Sequence, residues 1–536
     1  MKKLVSFVAV LLAISTLTFA SGGGEKAPAG ASTGGAAAVA AGPAKYIFVF
    51  IGDGTSIPQR NAAELYLASI NASVDLGNAT NRAAGKFPSG NGVADFAPTV
   101  QRMLMSTFPG QGFSSTYSSN SLITDSSSSG TAIATGKKTR DGVVGMDPTG
   151  TEKYVSMAKL AKAKGLKVGI VSSVSLDHAT PASFYASVPN RNSFYDITSQ
   201  IPASGFNFFG GGGFLAAQDK KATKPIKEVL EEGGYKVYNT RADFDKIKAG
   251  DDKVITSNFV LDGDNALPYA IDQKPGEIRY EDFVAKAIEV LDNDKGFFLM
   301  AECGKVDWSA HANDAVATVN EVLTLDKGVK VAYEFYQKHP TETLIVVTGD
   351  HETGGMTMGF AGTKYDAFLK RLSGQKGSYI DFNTKFAEFK AANPTANIEA
   401  FLPLVESYFG LKRYSQSEFT ALEATAKTGD QAAFEKLGLA LRDYEIADLT
   451  KALAMSYNTN RPTSTDEYYL SYGSYEPITV TLTHILNNKA GVGWTTFSHT
   501  GLPTPVSVIG VGYELFNGYY DNTDIFKKVV QIGQLQ

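Results

Sequence analysis

Six histidines occur in the 536 residues: His178, His311, His339, His351, His484 and His499. Three of them fall in segments with the look of metal sites. In ECGKVDWSAH, Asp307 and His311 stand four apart, so one helical turn aims both side chains at a single ion. In TGDHETGG, Asp350 and His351 are adjacent at the end of an apolar run, and in TTFSHTG, His499 falls in a loop. Asp53, in IGDGTS, is a fourth candidate ligand on a tight glycine-flanked turn. Each has a bland alternative. A DxxxH pair recurs by chance, an aspartate in GDG serves turns, and an isolated histidine is more often structural. His339, before a proline, and His484, within ITVTLTHIL, read as structural. Taken together, the carboxylates and imidazoles suit zinc, while additional carboxylate and hydroxyl oxygens suit magnesium. A further stretch, LITDSSSSGTAIATGKKT (Leu122–Thr139), sets four serines between an aspartate and a helix-like run. It is either a serine linker or a hydroxyl placed at the mouth of a helix to do chemistry.

The elements that would position these groups are short, apolar, β-branched runs ending in acidic or glycine residues. They are YIFVFIGDG from Tyr46, KVGIVSS from Lys167, FFLMAE from Phe297 and TLIVVTGDH from Thr343. Both faces of each run are apolar, as in buried strands of a mostly parallel sheet. Helical stretches separate them. EDFVAKAIEVLD (Glu281–Asp292) puts Phe283, Val284, Ala287, Ile288 and Leu291 on one face, and Val316–Tyr336 behaves similarly. The alternation predicts an α/β fold: a large, mostly parallel central sheet flanked by helices. The polar candidates lie just past the carboxyl ends of the strands, the edge at which open α/β sheets bind ligands. From about 361 to 477 the pattern breaks into Tyr-, Phe-, Lys- and Ala-rich helical segments, read as an inserted, mainly helical subdomain or lid. The catalytic core then comprises 45–360 and 478–536.

Composition is globular, at 43% hydrophobic and 20% charged, with net charge −5 and no basic stripe of the kind nucleic acid requires. MKKLVSFVAVLLAISTLTFA (1–20) has the layout of a secretory signal, two lysines before an apolar middle and a small residue at Ala20. The low-complexity stretch to residue 44 reads as a flexible tether. The expected location is therefore periplasmic or extracellular. Cys303 is the single cysteine, so an exported chain without an internal disulfide depends on its core, and on bound metal, for stability.

The ordered segments IGDG, TDSSSSGTAIATG, DHATPASFYAS, NRN, AECGKVDWSAH, TGDHETGG and SHTG resemble the alkaline phosphatases, from about Tyr46 to the C-terminus apart from the inserted stretch. The resemblance implies a metal-dependent phosphomonoesterase with two Zn2+ and one Mg2+. It implies Ser126 as nucleophile beside Asp125. Asp307, His311 and His499 would hold one zinc; Asp53, Asp350 and His351, with Ser126, would hold the second. Asp53, Thr180 and Glu302 would hold magnesium, and Arg191 would grip substrate phosphate. Two zinc ions about 4 Å apart would stabilise the attacking and leaving oxygens of an in-line displacement.

Two positions depart from the best-known bacterial pattern. His178 stands in place of an aspartate, and Trp308 in place of a lysine at the phosphate site. His178 then either joins the third metal, favouring a transition ion such as Co2+ or Zn2+, or hydrogen-bonds its water ligands. The implied partners are small phosphomonoesters and inorganic phosphate, with a homodimer as in many relatives. The rival readings are a diesterase or sulfatase-like hydrolase on the same scaffold, and a non-catalytic phosphate- or metal-binding protein.

Overall fold

The computed structural model describes residues 42–71, 102–218, 222 and 224–536; the expected signal and most of the tether lie outside them. Residues 42–536 form one compact unit. Among the described residues, no helix is long and apolar enough to cross a membrane.

Fourteen strands are present among the described residues: β1 (Tyr46–Gly52), β2 (Gly110–Ser115), β3 (Lys167–Ser172), β4 (Phe208–Gly211), β5 (Lys236–Tyr238), β6 (Val254–Ser257), β7 (Phe297–Cys303), β8 (Thr343–Gly349), β9 (Glu352–Thr353), β10 (Thr357–Met358), β11 (Val492–Gly493), β12 (His499–Thr500), β13 (Thr504–Gly510) and β14 (Gly518–Asp521). Ten form one sheet in the order β14-β2-β13-β8-β1-β7-β3-β4-β6-β5. All its pairings are parallel except those of β13, which runs antiparallel to β2 and β8. The mostly parallel α/β expectation holds.

Alternation along β1 explains why the sheet is covered on both faces. Tyr46, Phe48 and Phe50 enter one apolar cluster, packed by the helices Tyr280–Leu291 and Ala315–Tyr336. Ile47, Val49 and Ile51 enter the other, packed by Ser126–Thr135, Met157–Ala163 and Thr523–Gly533. Full burial of each such side chain contributes about 2 kcal/mol relative to exposure. In the Tyr280–Leu291 helix, Phe283, Val284, Ala287 and Leu291 are buried as expected. Val290 is buried too, whereas Ile288 is only half-buried.

Register delivers the polar groups to one edge. Gly52 of β1 pairs with Cys303 of β7 and with Gly349 of β8, and Glu302 pairs with Ser172 of β3. The chain therefore leaves β1, β7 and β8 at the same level, presenting Asp53, Glu302, Asp350 and His351 side by side. His499 is not in a loop, as its sequence context suggested. It opens β12, whose two residues pair antiparallel with β9, so His499 lies opposite Thr353. A two-residue strand has no periodicity to read, which is why sequence reasoning missed it.

Residues 361–477 contain six α-helices and the 3-10 helix Leu369–Gly374, the longest being Tyr379–Ala392 and Asp443–Tyr457. Phe382, Phe401, Phe409 and Leu449 from these helices share the apolar cluster that holds Phe283 and Val319.

Candidate active site and metal centre

The helix Ser126–Thr135 is buried along its whole length. Asp125 caps it: the carboxylate accepts from the Ser128 amide at 2.9 Å, and the Ser127 and Ser128 hydroxyls donate to the same group. Such a cap satisfies amides that the first turn leaves without partners. The TDSSSS run is thus a helix start. Gly130 lets this helix lie against the helix Ala179–Tyr185, because a Cβ there would approach Ser183 Oγ to 3.0 Å. Ser126, the first helical residue, points its Oγ to within 3.2 Å of His351 Nε2.

That nitrogen lies 3.3 Å from Asp53 Oδ1 and 3.2 Å from Asp350 Oδ2. Nearby, Asp307 Oδ1 lies 3.3 Å from His311 Nε2 and 3.6 Å from His499 Nε2, and those two nitrogens are 3.1 Å apart. The ligand atoms of Asp53, Asp350 and His351 lie within 4.8 Å of one another, as do those of Asp307, His351 and His499. The His351 and His499 rings stack with centroids 3.6 Å apart, so the two groups adjoin. One turn of the short helix Lys305–His311 sets Asp307 beneath His311, as the four-residue spacing predicted. Gly54 makes room for this convergence. Its φ of +73° is a glycine conformation, and a Cβ there would lie 2.7 Å from Asp307 Cα and 2.9 Å from Thr353 Oγ1.

The donor set fits cations. His311 Nδ1 lies 2.6 Å from the Phe497 carbonyl and His499 Nδ1 lies 2.7 Å from the Thr124 carbonyl. Donation by both Nδ1–H groups leaves the Nε2 lone pairs facing each other and Asp307 Oδ1. Asp307 Oδ1 receives the Thr353 hydroxyl, but two imidazole lone pairs and a carboxylate brought this close together suit a positive ion. Among the described residues, Asp53 Oδ1 and Glu302 Oε1 are buried without a hydrogen-bond donor.

In the metal-free chain, protons stand in for such an ion. Burial, with Asp350 beside it, pushes Asp53 well above the usual carboxylate range. Burial pushes Glu302 up to about 8, and burial with Asp307 pushes Asp350 up to about 7. At Asp307, burial acts upward but the histidines, His311 foremost, outweigh it and hold the group well below its ordinary value. Burial likewise acts against His311, yet Asp307 prevails and raises it to about 9.

The remaining candidates surround this centre. Thr180 Oγ1 donates to Asp53 Oδ2 at 3.3 Å. Glu302 Oε2 accepts from the Ser172 hydroxyl. Arg191 Nη1 meets Asp125 Oδ2 at 2.9 Å. At Asp125 burial would raise the pKa, but the Arg191 guanidinium and the serine donors outweigh it and hold the carboxyl well below the usual range. His178 is 5.8 Å from Trp308, ring to ring, edge to face. Its Nδ1 is buried without a hydrogen bond among the described residues, and burial together with Arg191 pushes the ring down to about 3. Lys305 Nζ pairs with Asp262 at 2.8 Å and stands 5.3 Å from the Trp308 ring. Cys303 faces away, its thiol 3.4 Å from the Glu321 carbonyl, consistent with packing rather than ligation. His484 bonds Asn313 Oδ1 at 3.0 Å, and His339 stacks on Phe335, both structural as expected.

Sequence reasoning missed several supporting groups. Ser129 donates to Asp350 Oδ2 at 3.1 Å, so the serines after Ser126 serve more than the helix start. Thr353 Oγ1 donates to Asp307 Oδ1 at 2.5 Å. The signal for Thr353 was its place two residues after His351 in DHET; the carbonyls of Phe497 and Thr124 have no sequence signal at all.

Comparison with known proteins agrees with this geometry. The alkaline phosphatase family model matches residues 76–239 and 216–535. Alkaline phosphatase 3 of Bacillus subtilis is 30% identical over 421 residues, and alkaline phosphatase 4 of the same organism is 29% identical over 424 residues. Each alignment covers 77% of this chain and 77% of the relative. The crystal structure of Thermus thermophilus alkaline phosphatase superposes with a TM-score of 0.67 at 22% identity, covering 96% of each chain. The convergent carboxylates and imidazoles, the serine at a helix mouth and these matches have one common reading: the chain belongs to the alkaline phosphatase family, metal-dependent hydrolases of phosphate monoesters.

Proposed function

We propose that the chain cleaves phosphate monoesters through a phosphoserine on Ser126, at a centre of two zinc ions with a third metal beside it. One observation carries the reading: Ser126 Oγ and the carboxylates of Asp53 and Asp350 all lie within 3.3 Å of His351 Nε2. One zinc would be held by Asp53, Asp350, His351 and Ser126, the other by Asp307, His311 and His499. Magnesium would be held by the oxygens of Asp53, Thr180 and Glu302, with His178 either joining it or hydrogen-bonding its water ligands. Imidazole and carboxylate donors suit zinc, and an all-oxygen set suits magnesium. When bound, the zinc pair supplies positive charge that favours the serine alkoxide and the developing charge on the leaving oxygen.

The chain's own groups do the rest. Ser126 Oγ attacks phosphorus, forming the Oγ–P bond as the bond to the leaving oxygen breaks. The amino end of its ten-residue helix offers positive dipole to the phosphoryl oxygens. Arg191, anchored on Asp125, presents a planar fork to two nonbridging oxygens. Water then attacks the phosphoserine, releasing inorganic phosphate and restoring the hydroxyl.

Export, with function in a periplasm or outside the cell, is supported by the basic-then-apolar pattern of residues 1–20. The role of 361–477 as an inserted subdomain or lid is supported by Tyr469, whose hydroxyl lies 3.0 Å from Ser498 Oγ, next to His499. A homodimer completes the reading, on the family resemblance alone.

The test is Ser126→Ala, assayed on p-nitrophenyl phosphate and its bis ester with metal content measured in parallel. The variant should retain metal and lose more than about 10³-fold in turnover, and the wild type should favour the monoester. Undiminished turnover in the variant would overturn the reading.

A further inference from the structure

Three histidines converge on the metal centre, and each needs its Nδ1 proton placed so that Nε2 is free to ligate. His311 and His499 place theirs on backbone carbonyls, at 2.6 and 2.7 Å. No side-chain substitution removes those acceptors. His351 differs. The hydrogen-bond partner of its Nδ1 among the described residues is Thr353 Oγ1, at 3.3 Å.

A threonine hydroxyl carries one proton and both donates and accepts. In Thr353 the proton is committed, because Asp307 Oδ1 lies 2.5 Å away and a carboxylate only accepts. The hydroxyl oxygen is then left to accept from His351. The donors run in one direction: His351 Nδ1–H to Thr353 Oγ1, and Thr353 Oγ–H to Asp307 Oδ1. Thr353 is itself fixed. Its side chain is fully buried, its amide donates to the Gly54 carbonyl at 3.3 Å, and its backbone pairs with His499.

We propose that Thr353 is a positioning residue that sets the His351 tautomer and ties it to Asp307, so that one hydroxyl links the ligand sets of the two zinc sites. This rests on the reading above that zinc occupies both. Remove the hydroxyl and His351 Nδ1–H faces an apolar wall. Its ring is then free to turn or to protonate Nε2, the atom that faces Ser126. Asp307 loses one donor but keeps both of its histidines. The loss should therefore fall mainly on the Asp53–Asp350–His351 site.

The experiment compares wild type with Thr353→Val and Thr353→Ser. Each is stripped of metal and titrated with zinc against a chromophoric chelator, with kcat and KM measured after reloading. Thr353→Val keeps the shape and removes the hydroxyl; it should weaken one class of zinc site by about 10- to 100-fold and lower kcat more than it changes KM. Thr353→Ser should stay within about threefold of wild type. Should Thr353→Val not fold, Thr353→Ala reads the same loss. Wild-type zinc affinity in the hydroxyl-free variant would overturn the proposal. So would a serine variant as weak as valine, which would mark a packing role. A wild-type chain that takes up no zinc would instead defeat the metal-centre reading, and this inference with it.

Discussion

Arg191 Nη1 and Asp125 Oδ2 lie 2.9 Å apart, and the Asp125 carboxylate is the same one that caps the helix opened by Ser126. One group therefore sets both the start of that helix and the direction of the arginine. The pair is about one-fifth exposed on each side, so its value is in orientation more than in net stability.

Asp125→Ala should cost about 1 kcal/mol in helix capping and leave Arg191 without its anchor. The charge on Arg191 persists but its fork loses direction, so inorganic phosphate should inhibit about tenfold more weakly. Product-inhibition constants measure this directly. Tighter phosphate binding in the variant would mean that the freed charge outweighs the lost geometry.

Trp308→Lys places an ammonium beside His178. The Trp308 ring already stands 5.3 Å from Lys305, but that cation is paired with Asp262 and buried. A new, partly exposed cation at 308 should lower the inhibition constant for phosphate several-fold, by roughly 1 kcal/mol. Turnover should slow if product release limits the rate. An unchanged constant would remove Trp308 from any part in phosphate retention.

The metal-free protein should lose stability as pH rises. Glu302, raised from 4.5 to about 8, and Asp350, raised from 3.8 to about 7, hold protons in the native state that the unfolded chain has released. Between those values the native state binds more protons, so its stability falls with rising pH through this window. The melting temperature of chelated protein should drop from about pH 4.5 to about pH 8. Zinc-loaded protein should show no such slope there, because the ions replace the protons, and zinc addition near pH 7 should release protons. A flat profile for the metal-free chain would contradict the burial argument.

Gly54→Ala should be disproportionately damaging for one methyl group. Its Cβ would meet Asp307 Cα at 2.7 Å, on a backbone turned to φ +73°. The strain should cost about 1–3 kcal/mol, and displacement of Asp307 should loosen zinc. Thermal melting with zinc titration checks both.

Much of this was legible in the sequence because strands and helical turns have fixed periods. The apolar runs ending at Asp53, Glu302 and His351 marked the sheet edge, and the four-residue step from Asp307 to His311 marked a shared ligand face. His499 was visible as a residue but not as part of a strand, since β12 exists only by pairing with β9. The groups that orient the ligands were largely hidden. The Phe497 and Thr124 carbonyls belong to the backbone, and the Thr353 and Ser129 hydroxyls acquire their roles only when chain segments 46 and 221 residues apart meet. The departures at His178 and Trp308 were legible as substitutions. Their edge-to-face contact was not.

The most direct test of Ser126 as nucleophile is to mix the zinc-loaded enzyme with a phosphomonoester carrying labelled phosphorus, quench in acid within the first turnover, and digest the protein. Label should be recovered as phosphoserine on the peptide containing Ser126, and Ser126→Ala should carry none. Full turnover with no label on that peptide would contradict the covalent route.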